Sequence, residues 1–297
     1  MTDPLSKAAQ KLLSTYTDCI PGGFSDTDLP HVRFFFTDRT APRVPLHYPP
    51  GLAIILQGKK VGHLDGRRFE YGAGSYLVVG LPLVFECETQ ASPKMPLFGL
   101  FIELNPTALM ELCALVPVPP QNNKTRGGTY QGVEPLVMKP RMEEAVRRLI
   151  EQLCDPPQAE ALGKGTLREI LFHALNDAHG RVLIALTQIG QPEARIADLL
   201  RWVERQKNVE VTTEHLARQA GMSPATLYRY FRGVTGYSPR QYFKRKRLIR
   251  ARDLLGAERL TVAQAAHSTG YGDPANFSRD YRKLFGHPPS EDSKKHQ

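Results

Sequence analysis

Two stretches in the last third of the chain repeat the same residue types about fifty positions apart. Ala225, Thr226, Tyr228, Arg229 and Arg232 in the first stretch correspond to Ala275, Asn276, Ser278, Arg279 and Arg282 in the second. Such a set can read base edges: a guanidinium bonds guanine O6 and N7 together, and an Asn amide pairs with adenine. Arg229 and Arg279 are the best candidates for guanine and Asn276 for adenine, while Thr226 and Ser278 suit an edge or a phosphate. One arginine on a helix is ordinarily a solvated side chain; agreement between two registers is what separates this pair.

The elements that would position these residues are legible around them. Thr212 opens a short helix, Gly221 supplies a tight turn, and Ser223-Pro224 starts a second helix with Ser as cap and Pro in its first turn. Thr261, Gly270 and Pro274 repeat the arrangement, giving one helix-turn-helix over 212–233 and another over 261–286. Leu227 and Phe231 face inward in the first, Phe277 and Tyr281 in the second. Pro239 to Leu255 reads as one connecting helix, with Tyr242, Leu248, Ala251, Leu254 and Leu255 on its buried side. Two recognition helices held this way enter successive major grooves, about 34 Å apart. The other side of the connecting helix carries Lys244, Arg245, Lys246, Arg247, Arg250 and Arg252, expected with Arg282 and Lys283 to contact phosphates.

From Val209 to Ser290 these residues resemble the AraC/XylS family of bacterial transcription regulators. The likeness rests on Ala217-x3-Gly221-Met222-Ser223-x3-Leu227-x-Arg229-x-Phe231, on Gly236-x-Ser238-Pro239-x2-Tyr242, and on Arg247-x3-Ala251-x2-Leu254-Leu255. It continues through Ala266-x3-Gly270-Tyr271, Phe277-x-Arg279-x-Tyr281 and Phe285-Gly286-x-Pro288. Ala275 stands where the family usually has a polar residue, Tyr281 replaces Phe, and Asp292-Ser293 replaces a closing Tyr-Arg. The resemblance implies an activator that binds double-stranded DNA as a homodimer and contacts RNA polymerase.

Charge agrees with this division. Of the 297 residues, 39 are Lys or Arg and 30 Asp or Glu, a net charge of +9. Residues 1–190 hold 19 of each sign, so the whole excess lies in 191–297, as expected of a part that meets a polyanion. Eighteen of the 24 prolines precede Gln158, and strand-like runs fall at 33–37, 52–57, 68–71, 76–79, 83–87 and 97–104. Turn residues separate them, which predicts a small antiparallel barrel or jelly roll able to enclose one ligand. Helices are expected over 140–153, 167–178, 182–189 and 193–207, with Gly190-Gln191-Pro192 as a linker. The predicted fold is α+β in two domains. Residues 1–190 form a cupin-like sensing and dimerisation domain, with strands over about 30–105 and helices over about 140–190. Residues 191–297 form an all-α DNA-binding domain.

The front region also resembles the family's cupin-like N-terminal domains, through Leu56-Gln57-Gly58-Lys59-Lys60, Arg168-Glu169-Ile170 and Gly180. That implies a small-molecule effector, of a chemical identity the residues do not give. Phe34, Phe36, His47, Ile54 and Tyr76 are the candidate effector-binding residues. His31, His47 and His63 are spaced by 16 with no His-x-His pair, so no metal and no cofactor is expected. There is no nucleophile elbow, phosphate-binding glycine loop or paired acid and base, and no enzyme is expected. Two alternatives stand beside this reading: a cupin-like enzyme fused to a DNA-binding domain, and a regulator that senses oxidants or electrophiles through cysteine. Cys87 and Cys113 read as buried and inert, Cys154 as more accessible, and Cys19 completes the set of four. No apolar run is long enough to span a membrane and no secretory signal opens the chain, so no membrane association and a cytoplasmic location with reduced thiols are expected.

Overall fold

The computed structural model describes residues 4–16, 22–116, 133–177, 180–185, 191–205, 212–256 and 260–294. Cys19, Ala178, Ile189, Gly190, Lys207 and Val209, named above, lie outside the described residues. The N-terminal part opens with α1 (Pro4–Thr15), then β1 (Gly23–Asp26), β2 (Val32–Thr37), β3 (Ala41–Tyr48), β4 (Gly51–Gln57) and β5 (Lys59–Leu64). It continues with β6 (Arg67–Gly72), β7 (Ser75–Val79), β8 (Leu83–Gln90), β9 (Leu97–Glu103), α2 (Pro106–Leu115) and β10 (Val133–Val137). Three helices follow, α3 (Pro140–Leu153), α4 (Pro156–Leu175) and α5 (Gly180–Ala185).

The strands form two antiparallel sheets, ordered β1-β2-β9-β4-β7-β10 and β3-β8-β5-β6. At the centre of the larger sheet, β4 is buried along almost its whole length because both of its faces are covered. Ala53 and Ile55 turn towards the smaller sheet, whereas Leu52, Ile54 and Leu56 join the core under the helices. That second core is closed by Leu5, Ala9 and Leu12 of α1 and by Met142, Val146, Leu149 and Ile150 of α3.

Several elements differ from the sequence expectation. β1, β3 and β10 are edge strands, where half the backbone is unpaired and no hydrophobic alternation is required. Pro42 and Pro45 in β3 and Pro135 in β10 fit there, since an edge position does not need every N–H. α4 begins at Pro156, eleven residues before the expected start. The Pro156-Pro157 pair ends α3 and also opens α4, because proline's fixed φ suits the first helical turn.

The C-terminal part is helical throughout its described residues: α6 (Pro192–Arg205), α7 (Thr213–Gln219), α8 (Pro224–Thr235), α9 (Pro239–Gly256), α10 (Val262–Ser268), α11 (Pro274–Phe285) and α12 (Pro289–Lys294). It does not stand apart on a linker. The apolar core between the two sheets runs on without a break into the core around α9. The fully buried Tyr242 of α9 donates its hydroxyl to the Pro82 carbonyl at 2.8 Å. Gly236, which ends α8 at φ +76°, meets the β5–β6 hairpin so closely that an added Cβ would lie 2.8 Å from Leu64 Cδ1.

Gly286 ends α11 at a similar φ, +84°, with open space around it. Gly286→Ala is therefore expected to cost only the left-handed backbone penalty, about 1–2 kcal/mol. Gly236→Ala adds displacement of Leu64, and its melting temperature should fall further. The excess should shrink in a Leu64→Ala background; equal losses at the two glycines in both backgrounds would refute the close docking.

Candidate DNA interface

Each helix-turn-helix unit is built by its own caps. The Thr212 hydroxyl accepts from the His215 N–H at 3.2 Å, Gly221 turns the chain at φ +62°, and the Ser223 hydroxyl accepts from the Thr226 N–H at 3.2 Å. In the second unit Thr261 and Gln264 form a reciprocal capping box, Gly270 turns at φ +78°, and Asp273 accepts from the Ala275 N–H at 2.9 Å. Leu227 and Phe231 of α8, and Phe277 and Tyr281 of α11, are fully buried. That fixes the rotation of both helices about their axes. Ala225, Tyr228, Arg229 and Arg232 are exposed and Thr226 half-exposed; Ala275, Asn276, Arg279 and Arg282 are exposed and Ser278 half-exposed.

The two leading arginines are held differently. Arg279 Nη1 donates to Asn276 Oδ1 at 3.2 Å, one turn earlier on α11. The Arg229 guanidinium lies 4.9 Å from the centroid of the Tyr230 ring. Both are anchored by a neighbour that leaves most of the guanidinium donors open.

The repeat is longer than the two helix-turn-helix units. Arg195 of α6 donates to the Gly221 carbonyl at 3.1 Å, and Arg247 of α9 lies over the Tyr271 ring beside Gly270, 5.1 Å from its centroid. α9 thus stands to the second unit as α6 stands to the first. Each unit then closes on a left-handed glycine followed by a helix opening at proline: Gly236 before α9, Gly286 before α12.

This arrangement changes the role of the basic side of α9. Lys244 pairs with Asp280 at 2.5 Å, Arg245 with Glu86 at 2.9 Å, and Lys246 with Glu204. Arg252 lies over the Phe285 ring, 4.8 Å from its centroid. Four of the side chains that sequence reasoning gave to phosphates, Lys244, Arg245, Lys246 and Arg252, tie α9 to α6, α11 and the small sheet, while Arg247, Arg250, Arg282 and Lys283 are exposed. Spacing alone shows a solvated basic face; the partners come from elements distant in sequence.

The candidate effector residues do not gather around one chamber. Phe34, Ile54 and Tyr76 are fully buried, and with half-buried Phe36 they belong to the core between the large sheet and the helices. The Tyr76 hydroxyl donates to Asp177 Oδ2 at 2.9 Å. His47 is separate: it lies on β3 with its Nε2 3.5 Å from Glu204 Oε1 of α6. The pairing explains the separation, since β3 belongs to the other sheet, where it pairs with β8.

Between the sheets lies a polar cluster of Tyr48, Tyr71 and Lys60 around Cys87, which is buried as its sequence context suggested. The Tyr48 and Tyr71 hydroxyls are 3.1 Å apart, the Cys87 thiol is 3.5 Å from Tyr48, and Lys60 Nζ donates to the Tyr48 hydroxyl at 3.2 Å. Burial pushes the Cys87 thiol up and the Lys60 ammonium down, so both lean to their neutral forms. Cys113 and Cys154 are half-buried, so Cys113 is more open than expected. Arg168 and Glu169 pair with Glu111 of α2 and Arg148 of α3, giving the Arg-Glu-Ile segment a structural role.

Comparison with known proteins decides what these two parts make together. Residues 28–182 match the AraC-type transcriptional regulator N-terminus, and residues 216–295 match a helix-turn-helix domain. The chain belongs to the AraC-type transcriptional regulators. It is 32% identical over 154 residues to the HTH-type transcriptional activator RhaS of Escherichia fergusonii, covering 50% of this chain and 53% of that one. RhaS of Salmonella schwarzengrund is 33% identical over 147 residues, covering 48% and 50%. The chain thus spans about half the length of the curated relatives it matches. Among solved structures, ToxT of Vibrio cholerae superposes with a TM-score of 0.56 at 11% identity, over 89% of this chain and 98% of that one. At that identity the likeness is one of fold: a β-sheet domain followed by a helical domain.

In this AraC-type regulator two carboxylates, one from each domain, join the halves. Glu86 of β8 accepts from Arg43 at 2.5 Å and from Arg245 of α9 at 2.9 Å. Glu204 of α6 pairs with Lys246 and faces His47 of β3. Burial works to raise both carboxyl pKa values. The paired cations more than offset it, holding Glu86 below its ordinary range and Glu204 at about 2. A carboxyl depressed in the folded state stabilises it above the unfolded pKa and loses that contribution as pH falls towards the folded value. The Glu204 contribution is therefore expected to drain away between about pH 4.5 and 2. Glu204→Gln should flatten the fall of melting temperature across that window; parallel slopes for the two proteins would show that Glu204 does not couple the domains.

Proposed function

We propose that the chain is an effector-responsive, sequence-specific transcription activator acting as a homodimer in the cytoplasm. Residues 1–190 sense a small molecule and pair the protomers; residues 191–297 grip duplex DNA. The observation that carries this reading is the outward presentation of Arg229 and Arg279 at matching positions on two recognition helices with identical buried registers. Arg232 and Arg282 repeat one turn further on and suit backbone phosphates.

Other features support the remaining parts. The matched relatives are named transcriptional activators, and contact with RNA polymerase is how such an activator would act. ToxT, which shares the fold, has been solved with an unsaturated fatty acid bound, which favours a small-molecule effector here. Met110 and Leu115 of α2 and Leu162 and Phe172 of α4 are exposed apolar side chains on neighbouring helices, the composition expected where protomers pair.

Footprinting on the promoter regions flanking the gene tests the DNA reading. Arg229→Ala and Arg279→Ala should each weaken binding by about 1–3 kcal/mol and relax discrimination at one base position. Lys246→Ala, whose partner is Glu204, should leave the base preference intact. Unchanged affinity and specificity in both arginine variants would overturn the assignment.

A further inference from the structure

A cavity of about 410 Å³ lies between the two domains. One wall is the β5–β6 hairpin and the edge of the small sheet, with Asp65, Arg43 and Glu86. The opposite wall is the end of the first recognition helix, with Tyr228 and Arg232. Ser238 before α9, Gln241 in its first turn and Arg245 in its second form the floor between them.

The charges on these walls do not balance. Arg43, Arg232 and Arg245 face the single carboxylates of Glu86 and Asp65. Glu86 engages Arg43 through Nε alone and Arg245 through Nη1 alone, so donors on both guanidinium forks stay uncommitted. The Arg232 side chain has no hydrogen bond, ion pair or ring contact among the described residues, although its helix neighbours are packed. The start of an 18-residue helix adds the positive end of its dipole to the same space. Three arginines from three separate elements and a helix N-terminus converge on a void larger than a single water, and the class of molecule that complements them is a compact multivalent anion.

We propose that this cavity is an effector site for a small di- or trianionic metabolite carrying phosphate or carboxylate groups, and that its occupancy withdraws Arg232 and Tyr228 from DNA. The inference rests on the reading of α8 as a recognition helix and gives its regulation a place. The anion would bridge Arg43 of the sensing domain to Arg232 and Arg245 of the DNA-binding domain, tightening the dock. Arg232 is one turn beyond Arg229 on the same helix, so holding it in the cavity removes a phosphate contact from the reader itself. Reciprocity then requires duplex DNA to weaken anion binding by the same factor that the anion weakens DNA binding.

Calorimetric titration of the full chain with pyrophosphate and with citrate, at constant ionic strength and with glucose as a neutral control, tests this directly. One saturable site for at least one anion, and none for glucose, is expected. Pyrophosphate alone would select a phosphorylated effector, citrate alone a polycarboxylate. Arg43→Ala should weaken the anion at least tenfold while leaving affinity for a random-sequence duplex unchanged, because Arg43 belongs to the sensing domain. Asp65→Asn, which removes a lining carboxylate at a backbone position Asn tolerates, should tighten it. In the wild type the anion should lower duplex affinity, and in Arg43→Ala it should not. Absence of saturable binding by either anion, or equal binding in wild type and Arg43→Ala, overturns the proposal even if the duplex still binds. Loss of duplex binding by the wild-type chain would instead strike the DNA reading, leaving the calorimetric comparison to judge the cavity.

Discussion

The structure depends on the burial of Tyr242. Its ring packs edge-on against Phe231 of the first recognition helix, with centroids 5.4 Å apart, and its hydroxyl reaches out of the helical domain to the Pro82 carbonyl. An unpaired phenol at that depth would cost a few kcal/mol, so the helix carrying it and the β7–β8 connection must stay together. From that fixed point α9 runs between the two helix-turn-helix units while Arg245 and Lys246 reach the carboxylates on either side. One helix therefore belongs to the first unit's core, to the second unit's scaffold and to the domain boundary.

Such sharing makes the two domains less separable than their charges suggest. The neutral part and the basic part differ in charge, yet one apolar core crosses between them, Glu86 of the first pairs with Arg245 of the second, and Glu204 of the second faces His47 of the first. The Glu86 and Glu204 pairs lie at partly solvated positions, where ion pairs add modestly to stability. Their larger effect is orientation, because a misplaced dock would cost Glu86 its Arg245 and Glu204 its His47. The basic face of α9 is in this sense turned inward.

The recognition helices were legible in the sequence because their determinants are local: caps, turn glycines and a helical hydrophobic period repeated after fifty residues. The six hydrophobic strands were legible for the same reason. Edge strands such as β3, with two prolines and a half-wetted face, carry no such signal. α1 does carry one, in the helical spacing of Leu5, Ala8, Ala9 and Leu12, although the strand-rich composition of the front half draws attention away from it. His47 shows the limit most plainly. Its residue type suggested a pocket, but which sheet it joins and what covers it are set by pairings between strands far apart in sequence. The ion pairs of α9 are of the same kind, since Glu204, Asp280 and Glu86 come from three different elements.

The eighteen residues of α9 also have a metric meaning. At 1.5 Å per residue the helix is ~27 Å long, somewhat less than the ~34 Å of one turn of duplex. It is straddled by packing on both flanks, so it cannot lengthen or swivel to suit a different target. The phase between α8 and α11 is thus written into protein rather than into a flexible tether. On the DNA reading proposed above, a target with one base pair inserted between its halves would present the second half rotated by roughly a tenth of a turn, and the protein has no joint there with which to follow it.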